Sequence, residues 1–299
     1  MKDCFVETLP DYLDQVFSNK NDELFHEVAD LRTIYRGQSN IQWSPLPSAF
    51  RTKEDFLNEH LYIREYERQL QSQCINKNSM DILVDAQHFG IPTRLLDVTF
   101  NPLVALFFAC TDSAESKSSN GVVMQFVPTG IFMQNNPTCI AYAEYVRKFK
   151  NGIHFPTSQK RALTLAVQRS EYNSLFDAEK IVDKILSNDL NQVFFLPKYS
   201  NERIAAQEGA FLLCSTPFVN RPDPGYGNGV FLFPDEIVQD FNNKIAIRYI
   251  VPSQSKKLIL AQLDVAGINE AKLFPDTEHR VRSIVSTVKR VSQKQEWHK

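Results

Sequence analysis

One stretch, from His88 to Ala109, restricts the fold of this chain more than any other part of the sequence. Its first half carries polar side chains, and its second half is almost entirely apolar. Asn101 followed by Pro102 predicts a helix start, since asparagine caps free N–H groups and proline suits the first helical position. The helix predicted over residues 102–111 is apolar nearly all round, so it should be central. Polar groups at the mouth of such a helix locate a site more firmly than they name a reaction.

Strands and helices alternate irregularly along the rest of the chain. Strands are predicted at residues 33–37, 94–97, 122–127, 193–196, 209–214 and 246–251. Helices are predicted at residues 7–30, 54–74, 79–89, 256–266 and 277–291, and residues 130–192 look like a mainly helical insertion. Because regular βαβ spacing is lacking, we expect an α+β fold with central mixed or antiparallel sheets and surrounding helices. The 22 Phe and 10 Tyr fit a sheet-rich core.

Composition excludes several classes of function. The chain has 33 basic and 35 acidic residues, a net charge of -2, so no overall basic field indicates nucleic acid. Its five cysteines are scattered without a C-x-x-C pair, and we expect no metal site. No apolar run is long enough to span a membrane, and the N-terminus lacks a signal-peptide pattern, which predicts a cytoplasmic protein. The common Gly-rich phosphate-binding motifs are also missing.

The first candidate site residue is Arg36, within Tyr35-Arg36-Gly37-Gln38. An arginine at a strand end can hold a phosphate or carboxylate with two parallel hydrogen bonds. The glycine after it would permit close approach of the backbone. The alternative is a structural pair between Arg36 and a carboxylate that closes the loop.

A second group of candidates lies before the apolar helix. Arg94 and Asp97 are three residues apart in a predicted strand, so they should point to opposite faces, whereas Asp97 and Thr99 share a face. Asn101 stands at a helix N-terminus, which attracts anionic groups such as a pyrophosphate. Alternatively, Asp97 and Asn101 only satisfy backbone amides at a strand-to-helix corner. His88, near the end of its helix, is more often a partner of the helix dipole than a base.

The third group precedes the strand at residues 209–214. Arg203, Gln207 and Glu208 come before Gly209, so Gln207 or Glu208 could face a cleft and act as a base or a ribose ligand. A surface glutamate beside a turn glycine is the alternative.

Together these segments resemble the FRG domain family, named for an aromatic-Arg-Gly motif, here Tyr35-Arg36-Gly37. The resemblance continues through residues 43–48, Arg51, the central stretch 88–109, residues 203–211 and 273–276. It implies an FRG domain over residues 30–280 that includes the insertion at about 130–192. A helical lead-in at 1–29 would precede it, and a C-terminal helix and tail at 281–299 would follow. Val98 stands where the family pattern has tryptophan.

A second resemblance is to ADP-ribosyltransferases of the Arg-Ser-Glu type. Tyr35-Arg36 is similar to their aromatic-Arg strand, and Asp97-x-Thr99 to the strand that leads into an apolar helix. Gln207-Glu208 is similar to their catalytic strand start, although Gly209 takes the position of the glutamate. This resemblance implies an ADP-ribosyltransferase-like fold and NAD as a substrate, with no metal. It suits a bacterial toxin or a phage-defence effector.

The resemblance also implies roles for the candidate residues. Arg36 would hold the NAD diphosphate, and Glu208 or Gln207 would bond a ribose hydroxyl and favour the oxocarbenium-like state. The remaining predicted ligand contacts are Gln38, His88, Arg94, Asp97, Thr99, Asn101 and Arg203.

Two other classes of protein remain open. Arg36, Arg51, Arg94 and Arg203 could form an anion pocket that binds a nucleotide or a nucleic-acid end without turnover. The chain could instead be an adaptor whose polar residues only tie loops together. The sequence does not identify the acceptor of any ADP-ribose, whether protein or nucleic acid.

Overall fold

The computed structural model describes residues 2–20, 33–111, 118–128, 130–148, 175–186, 192–198, 202–214, 218–219, 230–231 and 245–275, with three residue pairs at 160–161, 164–165 and 167–168. Its strands are β1 (Lys2–Phe5), β2 (Ile34–Gln38), β3 (Leu95–Thr99), β4 (Gly121–Phe126), β5 (Ile131–Met133), β6 (Gln192–Leu196), β7 (Gly209–Cys214), β8 (Phe218–Val219), β9 (Val230–Phe231) and β10 (Ile245–Val251). Its helices are α1 (Leu9–Lys20), α2 (Lys53–Gln69), α3 (Gln71–Cys74), α4 (Ser79–His88), α5 (Pro102–Cys110), α6 (Pro137–Lys148), α7 (Leu175–Leu186), α8 (Glu202–Ala206), α9 (Lys256–Val265) and α10 (Glu270–Leu273). Short 3₁₀ turns at Ser48–Phe50 and Ser253–Ser255 complete them.

Eight strands form one mixed sheet in the order β1-β10-β4-β2-β3-β7-β6-β5. The outer pairs β1–β10 and β5–β6 are parallel, and the pairs between them are antiparallel. This arrangement confirms the predicted α+β fold with a central mixed sheet. The β8–β9 ribbon is separate from it.

The sheet is weakest at its middle, between β2 and β3. These strands pair only at Tyr35 and Thr99, whereas β2 pairs with β4 over five residues and β3 with β7 over five. We call β1, β10, β4 and β2 the first half-sheet, and β3, β7, β6 and β5 the second. The two half-sheets therefore meet at a corner with little backbone bonding across it.

Three apolar cores follow from this division. The inner core joins residues of both half-sheets, such as Ile34 and Met124 from the first and Leu96 and Leu212 from the second. A second core packs the first half-sheet against α1, α5 and α9. A third packs the second half-sheet against α2, α4 and α6. Each half-sheet has the inner core on one face and its own set of helices on the other. The corner between β2 and β3 therefore has apolar side chains packed on both faces.

Helix α5 begins as the sequence predicts and lies against the corner. The Asn101 side chain accepts hydrogen bonds from the backbone N–H groups of Leu103 and Val104, and Pro102 occupies the first turn. Gly37 lies within β2 instead of ending it as predicted. A Cβ at this glycine would stand 1.8 Å from the backbone oxygen of Ala105. Gly37 is therefore required for the close packing of β2 on α5, not for a turn.

Other boundaries differ from the sequence-based predictions. Helix α4 is capped by Asn78, one residue before the predicted start, through a capping box with Asp81, and Gly90 takes a left-handed conformation after the helix. The long helix predicted over residues 54–74 is divided at Leu70 into α2 and α3. The lead-in helix is described only to residue 20, and strand β1 before it was not predicted. The helix predicted over residues 277–291 lies outside the described residues.

The region predicted to be an insertion contributes to the core. Helix α6 is buried along most of its length, and Tyr142 and Val146 belong to the same core as α2 and α4. Strand β5 extends the sheet through its pairing with β6. Among the helices that the structure describes, none is both long and apolar enough to cross a membrane.

Candidate functional site

A cavity of about 180 Å³ opens at the corner between the two half-sheets. It lies where β2 and β3 separate, against α5 and the turn that follows α8. Its polar lining residues are Arg36, Asp97, Thr99, Arg203 and Gln207, and its apolar ones are Tyr35, Gly37, Val98, Val104 and Phe108. The three segments that the sequence indicated separately therefore meet at one site.

Arg36 bridges the two strands where their ladder stops. If the pairing continued past Tyr35 and Thr99, Gly37 would face Asp97; instead Nη1 of Arg36 donates to the Asp97 carbonyl oxygen at 2.5 Å. Its Nε donates to Oε1 of Gln38 at 3.1 Å, and Nη2 has no hydrogen-bond partner among the described residues. The prediction that Arg36 stands at a strand end is therefore wrong, because Arg36 lies in the middle of β2.

The charge on Arg36 is incompletely compensated. Burial lowers the pKa of its guanidinium to about 10, and the nearby positive charge of Arg51 acts in the same direction, while the Asp97 carboxylate opposes them. The guanidinium is still positive at neutral pH. A desolvated cation with one unbonded nitrogen is suited to an anionic ligand.

Asp97 brings a carboxylate to the same cavity. Its Oδ2 accepts a hydrogen bond from Nε2 of Gln87 at 3.0 Å, and Oε1 of Gln87 accepts one from the Thr93 hydroxyl at 2.6 Å. Asp97 is exposed, in contrast to its neighbours along β3. The carboxylate is therefore oriented by α4 and accessible to a ligand, rather than used only to satisfy backbone amides.

Arg203 provides a second guanidinium from α8. Its Cζ lies 4.8 Å from the centre of the Phe274 ring, a cation–π contact that holds the flat group in place. Within the described residues no carboxylate pairs with Arg203. Gln207, one turn later, donates from Nε2 to the Leu273 carbonyl oxygen at 3.0 Å. The segment that contains Phe274 thus supports this wall of the cavity.

Thr99 and Asn101 fix the position of Glu208. The Thr99 hydroxyl donates to the Gln207 carbonyl oxygen at 2.7 Å and accepts from the Asn101 backbone N–H at 3.0 Å. Nδ2 of Asn101 donates to Oε1 of Glu208 at 2.8 Å. Glu208 has a φ of 45°, a left-handed conformation that a non-glycine residue adopts only at some cost.

Glu208 and Asn101 therefore stand beside the cavity, and neither is among its lining residues. Asn101 uses its side-chain oxygen for the cap of α5 and its nitrogen for Glu208. The prediction that Asn101 caps this helix is confirmed, and its contact with a ligand stays a prediction.

The predicted ligand contact of Arg94 is corrected. Its side chain is fully buried and paired with Glu59, with Nη2 to Oε2 at 2.7 Å. Phe50 and Tyr145 place their rings 5.8 and 5.5 Å from its guanidinium. Arg94 is buried in the core just before β3, whereas Asp97 is exposed on β3, so the arginine lies outside the cavity lining.

Gln38 and His88 also lie outside the cavity lining. Gln38 is buried, and its amide bridges Nε of Arg36 and the Trp43 carbonyl oxygen, so it positions Arg36. His88 is exposed at the end of α4 beside Phe89. No group of His, Cys, Asp and Glu able to hold a metal occurs in the part of the chain that the structure describes.

Sequence reasoning missed two residues that build the site. Gln87 orients Asp97 from an ordinary position on α4, and no local pattern distinguishes it from other surface glutamines. Phe274 supports Arg203 across more than seventy residues of sequence. The only signal for Phe274 was its place in residues 273–276, a segment that belongs to the family resemblance.

Residues 31–118 match the model of the FRG domain, and this span includes β2, β3, α4 and α5. The match supports the FRG family for the region that carries Arg36 and Asp97. The predicted extent of the domain, 30–280, goes further than the match and stays a prediction. Comparisons with curated proteins and with solved structures give no match.

Proposed function

We propose that this chain is an NAD-consuming enzyme of the ADP-ribosyltransferase type, with its ligand bound in the cavity between β2 and β3. The observation that carries the proposal is a pair of guanidinium groups, on Arg36 and Arg203, that line one cavity together with the Asp97 carboxylate. Guanidinium groups without carboxylate partners are suited to a diphosphate. The neighbouring order of β2, β3 and β7 in the sheet is also consistent with the three elements of the resemblance.

The size of the cavity limits how much of NAD it holds. Sites for drug-sized ligands usually have about 300–1,000 Å³. A cavity of about 180 Å³ has room for one end of a dinucleotide. We assign it the nicotinamide ribose and part of the diphosphate, with the rest outside.

The reaction would break the bond between ribose C1′ and the nicotinamide nitrogen, and nicotinamide would leave with the bonding electron pair. Positive charge would then develop on the ribose, which a nearby carboxylate stabilises. Asp97 lines the cavity, and Glu208 is adjacent to the lining residue Thr99, whose hydroxyl lies 3.4 Å from the Glu208 carbonyl oxygen. An acceptor nucleophile or water would attack C1′ and lose its proton. Such an activity would suit a toxin or a phage-defence effector because it depletes NAD.

The decisive experiment is to incubate the full chain with NAD and measure free nicotinamide. We expect release by the wild type and at least a tenfold loss in Arg36→Gln and Arg203→Gln, since each substitution removes a charge-assisted contact. Arg68→Gln is the matched control because Arg68 is an exposed arginine on α2 that pairs with Glu65. Loss of activity in the control as well, or full activity in both cavity variants, would contradict the proposal.

Two carboxylate variants then identify the catalytic group. Asp97→Asn and Glu208→Gln remove one negative charge each and nearly preserve shape. The amide oxygen introduced by Glu208→Gln can still accept the hydrogen bond from Asn101, so this substitution leaves the corner intact. The variant that binds NAD but releases no nicotinamide identifies the carboxylate that stabilises the ribose.

The alternative is a nucleotide-binding module without turnover. It is favoured by Glu208, whose carboxylate is engaged by Asn101 and lies outside the cavity lining. In that case calorimetry would detect NAD or ADP-ribose binding that depends on Arg36, and no nicotinamide would appear at any enzyme concentration.

A further inference from the structure

We infer that Trp43 and Arg51, on the loop that follows β2, form a subsite for the adenosine half of the dinucleotide. This inference rests on the proposed function, because it assigns the part of NAD that the cavity cannot hold. The loop, here called the Trp43 loop, spans residues 39–52 and connects β2 to α2.

The Trp43 loop is joined to the cavity through a continuous set of hydrogen bonds. Nε2 of Gln38 donates to the Trp43 carbonyl oxygen at 2.9 Å, and Oε1 of the same amide accepts from Nε of Arg36. One side chain therefore separates the Trp43 backbone from the guanidinium that would hold the diphosphate. A ligand that leaves the cavity past Arg36 would meet this loop.

Hydrogen bonds hold the backbone of the loop, including its exposed tip, where the Trp43 N–H donates to the Asn40 carbonyl oxygen at 3.2 Å. Nζ of the buried Lys256 donates to the Ser39 carbonyl oxygen at 2.7 Å, and the Ile41 N–H donates to the Asn120 carbonyl oxygen at 2.8 Å. Pro45 and Leu46 are buried on the other side of the tip. Trp43 nevertheless remains 40% exposed. A fixed backbone that presents a large ring to solvent lowers the entropy cost of stacking on a ligand.

Arg51 adds positive charge to the same surface. Its Nε donates to the Leu46 carbonyl oxygen at 3.3 Å, which ties the guanidinium to the loop, and its side chain is exposed. Arg51 is close enough to Arg36 for the two charges to repel. Like charges held near each other are compensated well by a phosphate.

The opposite end of the cavity is less suitable for a base. Phe274 provides the aromatic ring there. Arg203 covers its face, and the Phe108 ring packs edge-on against it with 6.1 Å between the two ring centroids. The described residues provide no ring or cation that stacks on Trp43. The exposed face of Trp43 is thus available to a purine.

The test compares NAD with nicotinamide mononucleotide, which lacks the adenosine half. By calorimetry with the full chain, we expect Trp43→Ala to weaken NAD roughly 5- to 150-fold, as for loss of a base–aromatic stack, and to leave the mononucleotide within about twofold. Trp43→Phe retains a ring and should recover most of the NAD affinity. Phe89→Ala is the matched control, since Phe89 is another exposed aromatic, 62% exposed, and does not line the cavity.

A second measurement, tryptophan fluorescence, keeps Trp43 in place and so does not depend on whether the Trp43→Ala variant folds. The chain has one other tryptophan, Trp297. In a Trp297→Phe background, NAD should quench the remaining fluorescence, whereas the mononucleotide should not. Equal weakening of both ligands by Trp43→Ala, or NAD binding without any effect at Trp43, would overturn the subsite and leave the proposed function standing. If the wild type binds neither ligand, both proposals fail.

Discussion

Arg94 is fully buried and Arg36 is partly buried, and the structure treats their charges in opposite ways. Arg94 lies in the core with the Glu59 carboxylate, and Arg36 lies in the cavity with only neutral hydrogen-bond acceptors. Burial alone would lower the pKa of each arginine. At Arg94 the Glu59 carboxylate outweighs burial and holds the pKa above its ordinary value; at Arg36 burial prevails.

The difference separates structural from functional arginines. A buried charge that is fully paired needs nothing further, whereas a partly desolvated charge without a carboxylate is stabilised by an added anion. Arg94 should therefore affect folding, and Arg36 should affect ligand binding.

Breaking the Arg94 pair should produce the largest effect. Glu59→Gln leaves the Arg94 charge buried without a counterion, and we expect a loss of about 3–5 kcal/mol in the free energy of unfolding. Urea denaturation followed by circular dichroism measures this loss. The double variant Glu59→Leu, Arg94→Met should be more stable than Glu59→Gln because no charge remains buried. A single variant as stable as the wild type would contradict the structural role.

Arg36 should show the reverse pattern. Arg36→Gln should cost NAD binding roughly 10- to 150-fold, the equivalent of about 1.5–3 kcal/mol for a charged hydrogen bond. The free energy of unfolding should change by less than about 1 kcal/mol, because loss of the two hydrogen bonds is offset by removal of a desolvated charge. Arg36→Lys keeps the charge but not the two-pronged geometry, and should bind with intermediate affinity. Calorimetry and urea denaturation on the same samples give both numbers. A large loss of stability with unchanged NAD binding would show that Arg36, like Arg94, has a structural role and no role in binding.

The sequence predicted the elements around this site better than it predicted their assembly. Local chemistry identifies the start of α5, since Asn101-Pro102 is sufficient for a cap. It also identifies the strand β7. By contrast, nothing near Arg94 reveals Glu59, which is thirty-five residues earlier on helix α2.

The corner between β2 and β3 could not be read from the sequence either. A strand pattern gives no information on where the ladder between two strands stops, and the cavity exists because it stops after one pair. Gly37 was predicted to end its strand and to permit close approach of the backbone, and both turns and close packing favour glycine. Only the contact with Ala105 distinguishes the two.

Asn101 should have an intermediate effect, because it serves the fold and the site together. Asn101→Ala removes the cap of α5 and the hydrogen bond to Glu208, and we expect a loss of about 0.5–2 kcal/mol in the free energy of unfolding. Asn101→Ser retains a capping oxygen but cannot donate from an amide nitrogen to Glu208, so most of that stability should return. If the serine variant recovers stability but alters nicotinamide release, Asn101 positions Glu208 as well as capping α5. Equal instability of the two variants, measured by urea denaturation, would show that the capping oxygen makes no contribution to stability apart from the hydrogen bond to Glu208.

The exposed pair of Arg248 and Asp3 should have the smallest effect. It joins edge strand β1 to β10, with Nη2 to Oδ2 at 2.6 Å. The hydrogen bond from Arg248 lowers the pKa of Asp3 below its ordinary value of 3.8. Its contribution is therefore complete above the unfolded pKa, near pH 4, and is lost as the pH falls through the lower folded pKa. Because both side chains are partly exposed, solvent screening limits it to about 1 kcal/mol or less. Asp3→Asn should remove this acid-side slope from the curve of unfolding free energy against pH between about pH 2 and 5, and roughly 1 M salt should flatten the same slope in the wild type. A slope that persists in Asp3→Asn would have to come from another carboxylate. The Arg248–Asp3 pair would then have neither the stabilising role of Arg94 nor the binding role of Arg36.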